Sequence, residues 1–326
     1  AHSVYTSAEL LDSMAKTTLE DSRKPTPLGQ FKAPRFWPMW ILLASMWTVA
    51  HLPFYIQIKI GQFLGLLSYY FARQRRHICE VNIRLCFSEL SSRDQQQLVK
   101  RTFLSNGIGL IEIAISWYRD PKDYESRLKV SGLENLQAAM EGGKGVLLVC
   151  AHFTTIEIAA FLFNLVHKMD VTYRPNDNPL FQAAMFNGRI RHYAHVYDRK
   201  DVRGAIKSLK AGRILWYAPD QDYGAKHSVF VPFFGNQAAS ITATSRFSKI
   251  GNASVVFFSH YRTEDNSGYH LIFDSALKDY PSGDDEIDAA RITSLVEDAV
   301  RIQPDQYMWL HKRFKTQAAG KDARPY

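Results

Sequence analysis

The chain has 326 residues, 46% of them hydrophobic, which is enough for one large domain or two small ones with a substantial core. Its formal net charge is +8, so a polyanionic or membrane-surface partner has to be considered. The three cysteines are an odd number without zinc-site spacing, which excludes a disulfide framework and indicates a reducing compartment.

The N-terminal part of the sequence divides into a polar tail and a basic, apolar segment. Residues 1–30 are polar and contain prolines and glycine, which predicts a loosely ordered tail. Residues 31–76 contain no Asp or Glu but carry six basic residues around an uncharged apolar run at 36–58. A helix of about 20 residues crosses a bilayer core of roughly 30 Å, so the run predicts a membrane-anchor helix in place of a buried core helix. Whether it spans the bilayer or lies in the interface stays open.

The basic charge also raises the possibility of nucleic acid binding. Here, however, the basic cluster adjoins an apolar segment and does not interleave with exposed aromatic residues. Anionic phospholipid is therefore the expected partner, and no nucleic acid is expected.

Residues 77–326 are predicted to form a single α/β domain. Ser91 resembles a helix start, and from residue 146 onwards short apolar runs alternate with helical patterns. We predict strands near residue 130 and at 146–150, 171–173, 195–197, 214–218, 254–260 and 271–274. We predict helices at 134–140, 156–167, 179–191, 202–211, 242–249 and 285–302. This alternation predicts a mixed, mostly parallel central sheet covered by helices on both faces.

The main candidate site is the pair His152 and Glu157. An apolar, β-branched run at 146–150 leads into His152, and Glu157 follows five residues later. Positions five apart on one helix point about 140° away from each other, so the pair can meet only if His152 ends a strand and Glu157 begins the next helix. Open α/β sheets bind ligands at that edge. A histidine oriented by a carboxylate is a general base able to deprotonate a hydroxyl.

Two alternatives apply to the same segment. Thr154 and Glu157 fit a capping box, with His152 an ordinary half-buried histidine. Cys150 could instead be a nucleophile beside His152, but strand cysteines are commonly buried and inert.

Other polar residues follow predicted strands. Arg174 and Asn176 lie in a turn-like segment, and Arg189, on the following helix, suits phosphate. Asp220 and Asp222 follow a later strand; with no further acidic ligand nearby, we predict no metal site.

Two further segments are less informative. The apolar stretch 229–235 could line a channel for a fatty chain or pack the core, and the aromatic and basic stretch 306–314 could be core packing with a basic rim. The Rossmann, P-loop, nucleophile-elbow and HExxH motifs are absent, so we expect no nucleotide cofactor.

Five features in this order resemble a known family. They are the tryptophan-containing apolar segment, the His-x4-Glu motif at 152–157, and the segments at 173–179, 218–235 and 306–315. Together they resemble the late (secondary) acyltransferases of lipid A biosynthesis, the lauroyl and myristoyl transferases of Gram-negative bacteria. This family is a branch of the lysophospholipid and glycerol-phosphate acyltransferase group, whose motif is His-x4-Asp/Glu; glutamate is usual in this branch. The resemblance covers about residues 36 to 315.

The resemblance implies a glycerol-phosphate-acyltransferase-like fold and a specific reaction. A lauroyl or myristoyl chain would pass from an acyl carrier protein thioester to a hydroxyl of a 3-hydroxyacyl chain on a lipid A precursor. The enzyme would sit at the bacterial inner membrane, with its catalytic domain on the cytoplasmic face and no cofactor. The acyl chain length and the identity of the acylated hydroxyl stay open.

The resemblance also implies roles for the site residues. His152 would be the general base, oriented by Glu157, and the chain would be transferred directly without an acyl-enzyme. Backbone amides after Phe153, or the Arg189 side chain, would stabilise the oxyanion or hold a substrate phosphate. Arg174, Asn176, Asp220 and Asp222 would belong to the substrate or oxyanion side of the site.

Two other function classes remain possible from the sequence. One is a glycerophospholipid (lysophospholipid) acyltransferase, which shares the motif but uses a smaller acceptor. The other is a non-catalytic membrane scaffold or lipid-binding protein, in which His152 and Glu157 would be dispensable.

Overall fold

The structure is a computed structural model that describes residues 24–320, 323 and 325–326. The predicted polar tail falls largely on residues 1–23, outside the described residues. Its last part, Leu28–Gln30, forms a single 3-10 turn.

The described residues form ten α-helices and nine strands. The helices are α1 (Trp37–Ala50), α2 (Phe54–Phe71), α3 (Arg73–Cys86), α4 (Ser92–Tyr118), α5 (Leu133–Met140), α6 (Ile156–Phe163), α7 (Pro179–Arg189), α8 (Val202–Lys210), α9 (Ala243–Gly251) and α10 (Asp285–Ile302). The strands are β1 (Leu128–Ser131), β2 (Val146–Val149), β3 (Asp170–Tyr173), β4 (Val196–Asp198), β5 (Ile214–Tyr217), β6 (Ser228–Phe233), β7 (Asn236–Ile241), β8 (Ser254–Arg262) and β9 (Tyr269–Phe273).

Seven of these strands form one mostly parallel sheet in the order β1-β9-β8-β2-β5-β3-β4. The β8–β9 pair is antiparallel, and every other neighbouring pair is parallel. The prediction of a mixed, mostly parallel sheet covered by helices is confirmed. Strands β6 and β7 form a separate two-stranded hairpin, which the sequence analysis read only as an apolar stretch.

The central strand β2 is apolar at every position because both of its faces are covered. All four of its residues are buried. Leu147 and Val149 pack into the hydrophobic cluster on one side of the sheet, and Val146 and Leu148 pack into the cluster on the other. Continuous apolar strands of this kind are typical of parallel sheets buried on both faces.

The predicted anchor helix is not supported, and the reason is local. The apolar run at 36–58 is divided between α1 and α2, with Pro53 between them. Proline has no amide hydrogen and clashes with the preceding turn, so it ends one helix and starts the next. Gln57, in the first turn of α2, is fully buried and donates a hydrogen bond of 2.8 Å to the Ala50 carbonyl oxygen. Within the described part of the chain, no helix combines the length and the apolarity needed to cross a membrane.

Candidate active site

The candidate site forms where β2 and β5 end. The two strands are parallel neighbours with Leu148 opposite Trp216, so both chains leave the sheet at the same edge. A hydrogen bond of 3.0 Å from the Cys150 amide to the Tyr217 carbonyl oxygen extends the pairing. His152 follows β2 and Asp220 follows β5, which brings the two side chains together.

Asp220 holds His152 by two contacts. The ring Nδ1 of His152 lies 2.6 Å from Asp220 Oδ1, and the backbone amide of His152 donates to Asp220 Oδ2 at 3.1 Å. The side chain of His152 is 22% exposed, whereas that of Asp220 is only 2% exposed. Donation from Nδ1 leaves Nε2 as the acceptor nitrogen, which is the tautomer that a general base needs.

The contact between His152 and Asp220 shifts the pKa of each residue. Burial alone would lower the pKa of His152, but the charge of Asp220 and its hydrogen bond outweigh burial, so this pKa is raised above its usual value. Burial alone would raise the pKa of Asp220, but its contacts with His152 and Tyr307 bring it down to about 2. Asp220 is therefore ionised at neutral pH, and His152 is more basic than a free histidine.

The C-terminal segment contacts residues 152–154, which follow β2, from a second side. The Met308 amide donates to the His152 carbonyl oxygen at 3.0 Å, and the Thr154 amide donates to the Gln306 carbonyl oxygen at 2.7 Å. Phe153 and Tyr307 form an antiparallel bridge between the two segments. The stretch that the sequence analysis interpreted as core packing therefore also fixes the backbone of the candidate base.

Glu157 lies in the first turn of α6, as predicted, but its partner is Arg189 and not His152. The Glu157 carboxylate forms a salt bridge with the Arg189 guanidinium, at the last residue of α7. Both side chains are mostly buried. The guanidinium also lies over the Tyr173 ring, 5.6 Å from its centroid. The carboxylate expected to orient His152 is thus supplied by Asp220, and a catalytic role of Glu157 stays a prediction.

The capping-box interpretation of this segment is wrong. The N-cap of α6 is Thr155, without a side-chain cap. The Thr154 hydroxyl pairs with the Ser105 hydroxyl at 2.9 Å, and the Thr155 hydroxyl lies 2.9 Å from His260 Nδ1. Buried partners thus use the hydroxyls that a cap would need.

The backbone amides expected to bind the oxyanion are partly engaged as well. The Thr154 amide donates to Gln306, and the Ile156 amide donates to the Phe153 carbonyl oxygen at 3.1 Å. Arg189 is the other predicted oxyanion group. Its Nε is buried and has no hydrogen-bond partner.

Cys150 is fully buried and points into the core. The indole Nε1 of Trp216 donates to its sulfur at 2.7 Å. Burial raises the pKa of the thiol well above its usual value. A nucleophilic thiolate is disfavoured in such a site.

The contacts of Arg174 and Asn176 are with their own loop and the start of α7, and not with His152. Arg174 is 67% exposed at its side chain, and its ion partner is Asp177, at 4.0 Å in the same loop. Asn176 is exposed and shapes the turn before α7, accepting at Oδ1 from the Asn178 amide at 2.9 Å. A role of these two residues in substrate binding stays a prediction.

Asp222 is buried and binds the C-terminal segment by hydrogen bonds. Its carboxylate accepts from the Thr316 amide and hydroxyl at 2.6 and 2.7 Å, and from the Gly224 amide at 2.9 Å. Among the described residues, no group of three or more His, Cys, Asp or Glu side chains is arranged to hold a metal ion.

Sequence reasoning missed the partnership of His152 with Asp220 and Tyr307. Both strand ends were identified, with His152 after one and Asp220 after the other. The adjacency of β2 and β5 was not, because five other elements (α6, β3, α7, β4 and α8) separate these strands in the chain. The shared edge follows from strand order, which local patterns do not encode.

Comparison with known proteins places the chain within one family. Residues 26–316 match the bacterial lipid A biosynthesis acyltransferase family. The chain is 38% identical over 292 residues to a lipid A biosynthesis lauroyltransferase of Escherichia coli (strain K12), covering 89% of this chain and 95% of the relative. It is 32% identical over 295 residues to the palmitoleoyltransferase of the same organism, covering 90% and 96%. It is 29% identical over 305 residues to its myristoyltransferase, covering 91% and 92%.

Proposed function

The chain belongs to the bacterial lipid A biosynthesis acyltransferase family and is an acyltransferase; on this premise we propose its substrates and mechanism. The donor is a lauroyl or myristoyl thioester of acyl carrier protein. The acceptor is a hydroxyl of a 3-hydroxyacyl chain on a lipid A precursor, in lipopolysaccharide or lipooligosaccharide biosynthesis. The observation that carries the proposal is the His152–Asp220 pair at the carboxyl edge of the sheet, in a chain similar over most of its length to lipid A acyltransferases.

His152 is the proposed general base. Its Nε2 accepts the proton of the acceptor hydroxyl while the hydroxyl oxygen attacks the thioester carbon. Asp220 stabilises the imidazolium that forms, as the carboxylate does in a catalytic triad. When the tetrahedral intermediate collapses, the carbon–sulfur bond breaks and the leaving thiolate takes the proton back from His152. The products are the new ester and the free thiol of the carrier, with no acyl-enzyme.

Arg189 is the proposed electrostatic stabiliser. Its mostly buried guanidinium is already held by Glu157, so little reorganisation is needed to meet a negative charge. The charge is either the oxyanion of the tetrahedral intermediate or a phosphate of the acceptor. Glu157 then acts through Arg189. Its position at the start of α6 places its carboxylate next to the end of α7, where Arg189 lies.

Helix α2, with the neighbouring α1, is the proposed contact with the inner-membrane surface. Ile56, Phe63, Leu67 and Tyr70 of α2 recur at helical spacing and are all exposed. The opposite face of α2, at Gly61 and Gly65, lies against α4. An apolar face that no other part of the described chain covers is typical of interfacial helices.

Charge supports the same surface. Six basic residues and no acidic residue lie between positions 31 and 76, and anionic headgroups attract such segments. The proposed location is therefore the cytoplasmic face of the bacterial inner membrane. The overall charge of +8 also favours a negatively charged carrier protein as partner.

The experiment that tests the function is mass spectrometry of the lipid products. Purified protein is given acyl carrier protein charged with a lauroyl or myristoyl chain, together with a tetra-acylated lipid A precursor; a lysophospholipid is offered in a parallel reaction. The proposal expects a gain of one acyl group on the lipid A precursor and none in the His152→Ala variant. Acylation of the lysophospholipid alone would assign the other acceptor class.

A further inference from the structure

The Asp220 carboxylate has a third partner, Tyr307. Tyr307 lines the same cleft as Asp220 and His152, and its hydroxyl contributes to the lowered pKa of the Asp220 carboxyl group. Tyr307 is 4% exposed, and its ring packs edge-on against Phe153, 5.8 Å between centroids. Its neighbour Met308 binds the His152 carbonyl oxygen. The Tyr307 side chain is therefore held beside the His152–Asp220 pair.

A buried guanidinium lies near the same carboxylate. Arg313 is 3% exposed and donates to the Ala239 carbonyl oxygen at 2.8 Å and to the Ser240 hydroxyl at 2.9 Å. Its Nε is buried without a hydrogen-bond partner, and among the described residues Arg313 forms no salt bridge. An arginine buried without a counter-charge is costly.

Arg313 lines two small clefts together with residues of the site. One is lined by Asp220, Ser240, Thr293 and Arg313, among others. The second is lined by His152, Asp220, Tyr307 and Arg313, among others. Asp220 and Arg313 line both clefts, so the buried carboxylate and the buried guanidinium lie in the same part of the molecule.

We propose that Tyr307 and Arg313 are positioning residues that share the negative charge of Asp220 and thereby set the basicity of His152. The proposal rests on the function proposed above. A hydrogen bond and a nearby cation both stabilise the ionised carboxylate and weaken its pull on a proton at His152. They limit the rise in the pKa of His152, so that a neutral fraction able to accept a proton is present near neutral pH, as general-base catalysis requires.

The other ionisable groups around the pair do not supply this charge. Burial raises the pKa values of Cys150 and Tyr223, so both groups are neutral at neutral pH. Burial lowers the pKa of His260 to about 3 and also lowers that of His311, so both imidazoles are neutral there too. The remaining basic groups nearby are Arg199, which acts on Tyr223, and Lys315, which acts on His311.

The test is the titration of the His152 ring by NMR in ¹⁵N-histidine-labelled, full-length protein, with the signal assigned from His152→Gln. Tyr307→Phe and Arg313→Met each remove one stabiliser of the Asp220 charge. Both should raise the pKa of His152 by about half a unit to one unit. The acid limb of kcat/KM should move up by the same amount. Arg313→Lys keeps the charge and should keep the wild-type pKa.

The matched control is Tyr261→Phe. Tyr261 also packs edge-on against Phe153, at 5.3 Å, but its hydroxyl donates to the Ala299 carbonyl oxygen. This variant loses a buried hydroxyl next to the same ring and should leave the pKa of His152 unchanged.

If folded Tyr307→Phe has the wild-type pKa at His152, the proposal for Tyr307 is overturned. If folded Arg313→Met has the wild-type pKa at His152, the proposal for Arg313 is overturned. If Arg313→Met does not fold, Arg313→Gln replaces it. The titration needs no substrate. If the variants shift the pKa of His152 but the protein transfers no acyl chain, the role of Tyr307 and Arg313 is supported and the proposed function is contradicted.

Discussion

His152 sits between two segments that are distant in the chain, and each one constrains a different part of it. Asp220, after β5, fixes the ring and the amide. Met308, near the C-terminus, fixes the carbonyl oxygen. The ring therefore has little rotational freedom, which is what a preorganised base requires.

The pH dependence of turnover should report this base. The pKa of His152 is raised above 6.5, because the charge and hydrogen bond of Asp220 outweigh the opposing effect of burial. A general base must be neutral, so activity is lost as the pH falls through this pKa. We expect the acid limb of kcat/KM for the acceptor to have its midpoint above 6.5, because this profile reports the pKa of the free enzyme. A midpoint below 6.5, or a flat profile down to pH 5, would contradict the assignment.

Glu157 should affect turnover without affecting the base. Glu157→Gln keeps the shape of the side chain but removes the charge that holds Arg189. We expect kcat to fall by about a hundredfold to a thousandfold, the range for losing an oriented electrostatic group. The NMR-measured pKa of His152 should stay at its wild-type value. A shift of that pKa would show that Glu157 acts on His152 directly, as the sequence analysis predicted.

Cys150 should be dispensable for catalysis. Its buried thiol has a raised pKa. Direct transfer from donor to acceptor requires no nucleophile from the protein. Cys150→Ser retains an acceptor for the Trp216 indole and should keep activity within about threefold of wild type, since serine is close in volume. Intact-protein mass spectrometry provides the second readout. A protein adduct of one acyl group that is absent in Cys150→Ser would establish an acyl-enzyme instead.

At the scale of elements, α2 and α4 cross at very short range because three glycines meet there. A Cβ atom on Gly107 would lie 2.2 Å from the Gly61 carbonyl oxygen and 2.3 Å from the Gly65 amide nitrogen. Real side chains do not approach backbone this closely, so the helices would have to separate. Helix α2 is thus seated on α4 by backbone-to-backbone packing.

Gly107→Ala should therefore destabilise the protein. We expect a loss of about 1–3 kcal/mol in the free energy of unfolding, the usual cost of overpacking a tight contact. The measurement is denaturant unfolding followed by circular dichroism. Gly29→Ala is the control, because a Cβ at Gly29 meets nothing within 4 Å. Equal stability of the two variants would contradict the close packing of α2 on α4.

The sequence predicted elements better than their partners. Strand β2 and helix α10 were recognisable because continuous apolar runs and 3.6-residue periodicity are local signals. The anchor was mispredicted because hydropathy outweighed Pro53 in the interpretation of residues 36–58. His152 and Asp220 were each placed at a strand end, but their contact depends on β5 lying next to β2. The role of Tyr307 depends on the return of the chain's last segment, which no local pattern indicates.

At the scale of the whole molecule, the exposed face of α2 should determine membrane binding. Phe63 and Leu67 are 59% and 38% exposed on that face. Burying large apolar side chains in lipid contributes about 1.5–3 kcal/mol each, so Phe63→Ser with Leu67→Ser should weaken vesicle binding at least tenfold. The measurement is co-sedimentation with phosphatidylglycerol-containing vesicles.

The control changes apolar residues exposed elsewhere. Ile250 and Ile287 are 51% and 54% exposed on α9 and α10. Ile250→Ser with Ile287→Ser should bind vesicles like wild type, and raised salt should weaken binding of every variant because it screens the basic segment. Equal binding of the two double variants would contradict the proposal that the exposed face of α2 binds the membrane.

The most direct measurement is the rate of acyl transfer to a lipid A precursor by the Asp220→Asn variant beside the wild type. Asparagine preserves the size of the side chain but removes the charge that stabilises the imidazolium at His152. The account predicts that kcat falls by a factor of about 10²–10⁴, as expected for loss of the orienting carboxylate of a histidine base. A folded Asp220→Asn enzyme that turns over at nearly the wild-type rate would contradict the assignment of His152 and Asp220 as the catalytic pair.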